Sequence, residues 1–162
     1  MRERARLACA ALALLLAGCQ LQPVYGGGAR SAPATLMADI AIAPIPERAG
    51  FMLRQALVEQ FGKTADAPRY RLEVVLDDQI IAFGVRGDSS AARERRTLRA
   101  RFRLVDAASG VVLVDDSAAA DAGIDRVSSN FAVVAAETTA LERLSVDIAR
   151  QISARLARYA RR

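Results

Sequence analysis

The sequence contains no histidine and no tryptophan, and only two of its 162 residues are cysteine. Without histidine, neither a Ser-His-Asp nor a Cys-His catalytic arrangement can form, and the commonest zinc ligand is missing. Two cysteines are also too few for a four-thiolate metal site. The composition therefore disfavours a conventional hydrolase or a metalloenzyme.

Aromatic residues make up 5% of the chain, whereas 52% of its residues are hydrophobic and 25% are charged. This balance is too apolar for a disordered chain, and the length suits one domain with a real core. The net charge of +5 is of the sign found in nucleic-acid-binding proteins. However, no aromatic residues interleave with the basic ones, so we expect no nucleic-acid partner.

The N-terminus has the pattern of a bacterial lipoprotein signal peptide. Three arginines precede an apolar run from Leu7 to Leu16, which is too short to span a bilayer. Small residues and a cysteine follow, and this order of charge, run length, small residues and cysteine resembles a lipobox. The alternative is an ordinary signal peptide with a chance cysteine. The lipobox residues are Leu16, Ala17, Gly18 and Cys19.

A lipobox predicts that residues 1–18 are removed and that the Cys19 thiol carries lipid. Cys9 then leaves with the signal peptide, and the mature chain has no thiol left for a disulfide. Lipobox proteins resemble one another in carrying two or three acyl chains, which makes a stable anchor. Gln20 stands where lipoproteins kept at the inner membrane usually have Asp, so the resemblance implies the outer membrane. Residues 19–35, rich in Gly and Pro, predict a lipidated flexible tether.

The remainder, residues 36–162, predicts a single domain. Ala38, Ile40 and Ile42 alternate with their neighbours and predict a short strand. A helix follows from Arg48 to Phe61, and its leucines recur every four residues before Gly62. A half-buried strand begins at Tyr70, and Ile80, Ile81 and Phe83 extend it past a bulge. A turn follows at 84–90. A further strand starts at Val111, where the apolar run suggests either burial on both faces or an uncertain register. Ser129 or Asn130 caps a long closing helix.

The strand from Arg93 to Val105 has the sharpest pattern in the chain. Leu98 to Leu104 alternate so that apolar side chains face one way, while the odd positions from 93 to 103 are arginine except Thr97. Arginines on one strand repel one another, so an isolated domain gains nothing from them. Guanidinium groups suit bidentate contacts with phosphates and carboxylates. The candidate contact residues are Arg95, Arg99, Arg101 and Arg103.

These elements predict an α+β fold in the order β-α-β-β-β-α. Two amphipathic helices need an apolar surface, and an alternating sheet offers one face to them. We therefore expect two layers: a four-stranded mixed or antiparallel sheet with both helices packed on one face. The other face is left for solvent or a partner.

The chain resembles the LptE family of lipopolysaccharide (LPS)-assembly lipoproteins, in its alphaproteobacterial form. The resemblance rests on the lipobox with its following segment Cys19–Gly26, on three short internal segments, and on their joint order. The internal segments are 42–48, 70–74 and 102–106, and the closing helix adds to them.

The resemblance implies a non-enzymatic outer-membrane lipoprotein that needs no cofactor besides its covalent lipid. It implies an LptD-type β-barrel as partner, with the domain in the barrel lumen or on its periplasmic side. There it would plug the barrel, assist its assembly and contact LPS on the way to the cell surface. The alternative function is an auxiliary lipoprotein of an ABC-type lipid or solvent exporter.

Three interpretations of the arginine strand stay open. It forms a solvated sheet face partly neutralised by neighbours such as Glu73, or it contacts acidic groups of a protein partner, or it binds LPS phosphates. The adjacent carboxylates Asp77-Asp78 and Asp115-Asp116 point to opposite faces of a strand, so neither pair predicts a metal or acid–base site. We expect them to be solvated at turns or strand ends.

Overall fold

The computed structural model describes residues 31–85 and 91–161. The predicted signal peptide 1–18, the lipobox Leu16–Cys19 with its lipidation site, most of the tether, and residues 86–90 of the predicted turn lie outside these ranges. The described elements follow one another in the order α-β-α-β-β-β-α. They are α1 (Ala32–Ala38), β1 (Ile40–Ile42), α2 (Glu47–Phe61), β2 (Tyr70–Val85), β3 (Ala91–Asp106), β4 (Val112–Asp125) and α3 (Asn130–Tyr159).

The strands form one mixed sheet in the order β1-β2-β3-β4. β1 pairs with β2 in parallel, and β2-β3-β4 is an antiparallel meander. The predicted fold class is confirmed: an α+β fold with a four-stranded mixed sheet. The long helices α2 and α3 pack against each other, and α3 also packs along β3 and β4.

The core lies between the sheet and the helices. Phe102, Leu98 and Leu104 of β3 are fully buried, as their alternation predicts. The stripes of α2 and α3 supply the opposite wall, including Leu53, Leu57, Ile148, Ile152 and Leu156, each fully buried. The odd-numbered side chains of β3 consequently project from the other face of the sheet, which none of the three described helices covers.

Two glycines shape α2: one allows its close contact with the preceding segment, and the other ends the helix. A Cβ on Gly50 would lie 2.6 Å from the carbonyl oxygen of Ile45, so the glycine lets the helix pack closely on the preceding segment. Gly62 follows the last helical residue with φ of 77°, a conformation that residues with a side chain rarely adopt. The predicted stop at Gly62 is confirmed.

The structure differs from the sequence prediction at its N-terminal side. Residues 32–35, assigned to the tether, belong to helix α1, in which Ser31 accepts a hydrogen bond from the Ala34 N–H and Pro33 occupies the first turn. Proline is favoured in the first helical turn because its missing N–H would have no partner there. Ala38, assigned to the first strand, ends this helix.

Two predictions about the strands are also wrong. No bulge interrupts β2: its register with β3 is unbroken from Tyr70↔Asp106 to Phe83↔Arg93, and the register shift lies between β3 and β4, at Leu104/Val105. Val111, just before β4, and Val112, its first residue, are 55% and 45% exposed rather than buried on both faces. Val112 pairs with Val105 beside the register shift, so it is the alternative of an uncertain register that fits this end of the strand.

Candidate functional site

The uncovered side of the sheet carries rows of alternating charge, which we call the charged face. β3 contributes the odd arginines from Arg93 to Arg103, and the two neighbouring strands contribute carboxylates. Glu73 and Asp77 come from β2; Asp115, Asp121 and Asp125 come from β4. The five arginines of β3 on this face therefore lie between five carboxylates.

Arg101 and Arg103 are held firmly. The Arg101 guanidinium donates to both carboxylate oxygens of Asp115, from Nε at 3.0 Å and from Nη2 at 2.9 Å. Arg103 Nη2 donates to Glu73 at 2.9 Å, and Glu73 also accepts from Arg71 Nε at 3.0 Å. Two of the predicted contact residues thus already have charge-assisted hydrogen bonds.

Arg95 and Arg99 are held loosely. Their guanidinium groups lie 3.9 Å from the carboxylates of Asp121 and Asp77, beyond hydrogen-bond distance. Arg95 also lies over the ring of Phe83, with its guanidinium carbon 5.5 Å from the ring centre. About 60% of each arginine side chain is exposed. These two residues present the most available donors on the charged face.

We expected the arginines of β3 to contribute no stability to an isolated domain, and this expectation is wrong for this fold. Opposite charges on adjacent strands attract, and the carboxylates of β2 and β4 offset the repulsion along β3. Sequence alone does not reveal these partners, because they depend on the register of three strands. Glu73, named beforehand as a neutralising neighbour, is one of them.

Hydrogen bonding lowers the pKa of two carboxyls on this face. The pKa of Glu73 lies below its ordinary value of 4.5, chiefly because Arg71 donates to it, with Arg103 adding to the effect. The pKa of Asp115 lies below 3.8 because Arg101 donates to it. The same bond raises the pKa of Arg101.

These shifts predict a loss of stability in acid. Because the folded pKa values lie below the unfolded ones, the stabilisation is complete above about pH 4.5 and is lost as the pH falls through the lower folded values. Urea denaturation at pH 6 and at pH 3 measures this loss. A Glu73→Gln/Asp115→Asn variant should show a smaller dependence on pH, and an unchanged dependence would contradict the assignment.

The adjacent carboxylates point to opposite faces, as predicted, but they do not lie at turns or strand ends. Asp77 faces Arg99 on the charged face, whereas Asp78 accepts from Arg96 on the helix side. Asp115 bonds Arg101, whereas Asp116 lies 3.2 Å from Arg155 of α3. All four carboxylates therefore lie within strands, and each of them pairs with a different arginine.

A second charged cluster lies between the sheet and α3, and sequence analysis missed it. Arg96 Nε donates to Asp78 at 2.8 Å, and Arg96 Nη1 donates to the Glu137 carbonyl of α3 at 2.9 Å. Glu94, only 5% exposed, accepts from Arg126 at 2.8 Å. The available signal was that Glu94 and Arg96 occupy even positions of β3, where the alternation expects apolar residues.

Neither a metal site nor a membrane-spanning helix is found in the part of the chain that the structure describes. Residues 31–85 and 91–161 contain no cluster of His, Cys, Asp and Glu suited to a metal ion. None of the helices in those ranges has the length and hydropathy needed to cross a bilayer. Three cavities open at the surface of the described residues: about 430 Å³ beside Glu142 and Arg143 of α3, about 410 Å³ beside Asp116 and Arg155, and about 340 Å³ beside Glu73 and Arg101.

Comparison with known proteins identifies relatives of this fold. The LptE family model, described as lipopolysaccharide-assembly, matches residues 37–156. A putative lipoprotein from Caulobacter crescentus has a similar structure, with 25% identity and a TM-score of 0.66, covering 80% of this chain and 95% of its own. No curated protein sequence matches the chain.

Two further solved structures share the fold. An uncharacterized lipoprotein B from Nitrosomonas europaea is 15% identical with a TM-score of 0.57, covering 75% of this chain and 82% of its own. A minor lipoprotein from Acinetobacter baumannii is 14% identical with a TM-score of 0.51, covering 74% and 88%. At these identities, the likeness establishes the architecture alone.

Proposed function

Because the chain belongs to the LptE family of lipopolysaccharide-assembly proteins, we propose that it is a non-enzymatic, lipid-anchored subunit of the outer-membrane LPS translocon. In this role the domain plugs an LptD-type β-barrel, assists its assembly and contacts LPS during export. The observation that carries the proposal is the family match over residues 37–156, which covers nearly the whole described fold.

The layered architecture supports a binding role. The helices occupy one side of the sheet, which leaves the charged face free to meet a partner. Its alternating signs suit a polar, hydrated surface such as the wall of a barrel lumen, because both guanidinium and carboxylate groups find partners there. The lipidated Cys19 would hold the domain at the membrane through its acyl chains.

LPS contact is proposed for Arg95, Arg99, Arg101 and Arg103. The loosely held Arg95 and Arg99 offer guanidinium donors to a phosphate without first breaking a hydrogen bond. Arg101 and Arg103 would have to exchange a carboxylate for the phosphate. Phosphate binding is therefore expected to begin at Arg95 and Arg99, while a purely solvated charged face remains the alternative to exclude.

Partner capture tests the proposed function. Affinity purification of the tagged full chain from outer membranes should recover a large β-barrel protein. A Cys19→Ser variant, which lacks the acylation site, is the control for membrane attachment and should no longer be recovered with the outer membrane. Recovery of an inner-membrane permease complex in place of the barrel would contradict the proposal and favour the exporter alternative.

Removing three arginines tests LPS contact. We expect Arg99→Ser/Arg101→Ser/Arg103→Ser to bind LPS at least about tenfold more weakly, because charge-assisted hydrogen bonds contribute roughly 1.5–3 kcal/mol each. Binding of purified LPS to the full chain measures the effect, and circular dichroism checks the fold.

The matched control removes the same charge from the helical layer. Arg143, Arg150 and Arg158 are exposed on α3, and replacing all three with Ser should leave LPS binding close to that of the unaltered protein. Equal LPS affinity of the two folded triple variants would exclude direct contact through the charged face.

A further inference from the structure

One edge of the sheet is nearly unpaired. β1 covers β2 only at Tyr70, Arg71 and Leu72. On that side the Tyr70 N–H donates to the Asp39 carbonyl, and the Ala43 N–H donates to the Leu72 carbonyl. Beyond Leu72, no other strand within the described residues pairs with this side of β2.

The hydrogen bonds between β1 and β2 show which main-chain groups of β2 point away from β3. Main-chain groups of a strand alternate between its two sides, and the bonds of Tyr70 and Leu72 show that even residues face the β1 side. The unbroken β2–β3 register keeps this alternation along the strand. The N–H and C=O groups of Leu76, Asp78, Ile80 and Ala82 therefore point outward, and we call these four residues the open edge.

The open edge has few of the devices by which proteins guard such strands, which are charged side chains, above all lysine, as well as proline and bulges. Residues 76–82 contain neither lysine nor proline, and their pairing with β3 has no bulge. Their only charged residues are Asp77 and Asp78. The opposite edge strand, β4, is different: it carries four aspartates, and Gln151 of α3 donates to its Ala119 carbonyl.

Exposed apolar side chains flank the open edge. Val75, Ile81 and Phe83 are 73%, 59% and 42% exposed on the charged face, and Ile80 is 43% exposed on the helix side. The flanking charge is acidic, because residues 74–85 contain two carboxylates and no basic residue. Asp78 is already paired with Arg96, so the available carboxylate is Asp77. Asp77 is half exposed, lies 3.9 Å from Arg99 and accepts from the neutral Gln79 amide at 3.2 Å.

We propose that the open edge binds an extended segment of a partner protein as an added β-strand. Main-chain hydrogen bonds supply the affinity in such complexes, and alternate side chains supply the specificity. The segment would carry apolar residues against Ile81 and Phe83 and a basic residue beside Asp77. A second copy of this chain fits less well, because two such acidic edges would repel each other. The inference rests on the proposed function for its partner, the barrel subunit.

Hydrogen exchange at residue resolution tests the proposal on the full chain, free and in its complex with the co-purified barrel. The amides of the open edge should exchange at least about tenfold more slowly in the complex, because each gains a hydrogen-bond acceptor. Amides of the intervening odd residues, which face β3, should be slow in both states. This alternation distinguishes strand addition from general shielding.

The outcomes separate the two claims. A complex that forms while the open-edge amides exchange as in the free chain overturns strand addition and leaves the proposed function intact. Absence of any barrel complex overturns the proposed function, and strand addition with it. Protection that appears in the free chain and grows with its concentration assigns the edge to self-association and also overturns the proposal.

A proline variant gives a second measurement. Ala82→Pro removes one outward N–H without removing a β2–β3 hydrogen bond, and proline is tolerated on such an edge. We expect at least about fivefold lower recovery of the barrel, with circular dichroism unchanged. Ala82→Ser keeps the N–H and serves as the matched control, and equal recovery with both variants would contradict strand addition at this residue.

Discussion

Replacing Phe102 with alanine is expected to destabilise the domain by about 3–5 kcal/mol, the cost typical of emptying a buried aromatic site. Phe102 is fully buried at the centre of β3, between Val74 on β2 and Asp116 on β4. Because β3 is paired with a strand on each side, its backbone cannot move to fill the cavity that the substitution leaves. Urea denaturation measures the loss, and the melting temperature should fall by roughly 10 °C.

Phe131→Ala is the matched control, because the same atoms are removed from a side chain that is 85% exposed. It should change the free energy of unfolding by less than about 0.5 kcal/mol. A similar loss in both variants would show that burial in the sheet core does not determine the effect.

Replacing Asp78 with alanine is expected to cost about 3 kcal/mol, because it leaves the Arg96 guanidinium partly buried without its carboxylate. The side chains of Arg96 and Asp78 are 12% and 18% exposed. Hydrogen bonding to Asp78 raises the pKa of Arg96 in the unaltered protein. Without Asp78 the guanidinium still keeps its proton, as arginine does throughout the range in which proteins fold, so the cost cannot be relieved by deprotonation. Denaturation of the single variant measures the effect.

The double variant Asp78→Leu/Arg96→Met separates a broken ion pair from a general loss of packing. An apolar pair of similar volume often replaces a buried ion pair at little cost. The double variant should therefore regain much of the stability that Asp78→Ala loses. Equal losses in the single and double variants would contradict this explanation, as would a loss in the exposed Asp115→Asn variant as large as that in Asp78→Ala.

The periodic parts of the fold could be predicted from the sequence. The alternation in β3 assigns Leu98 and Phe102 to the core and its odd arginines to the opposite face, because side chains alternate strictly along a strand. The stripes of α2 and α3 likewise predict which faces are buried. Periodicity does not predict the short helix at Ala32–Ala38, because seven residues make only two turns. Its only local signals are the capping Ser31 and Pro33 in the first turn, and they follow a glycine-rich stretch.

Only the arginines of the candidate site, and not their carboxylate partners, could be predicted from the sequence. The arginines are visible in the sequence, but their partners come from strands more than ten residues away and depend on register. A shift of one residue in β4 would turn Asp115 away from Arg101 and bring Asp116 to that face. Glu94 and Arg96 break the alternation of β3, and their ion pairs with Arg126 and Asp78 depend on where β4 ends and on the register between β2 and β3.

The three-residue strand β1 has a consequence for the order in which the chain folds. Strands β2, β3 and β4 follow one another both in the sequence and in the sheet, so their pairing closes short loops, whereas Ile40 must meet Tyr70 thirty residues away. Local contacts form faster than distant ones. We expect the meander to form first and β1 to dock last. The segment next to the proposed lipid anchor is then the last part of the sheet to be secured and the first to open.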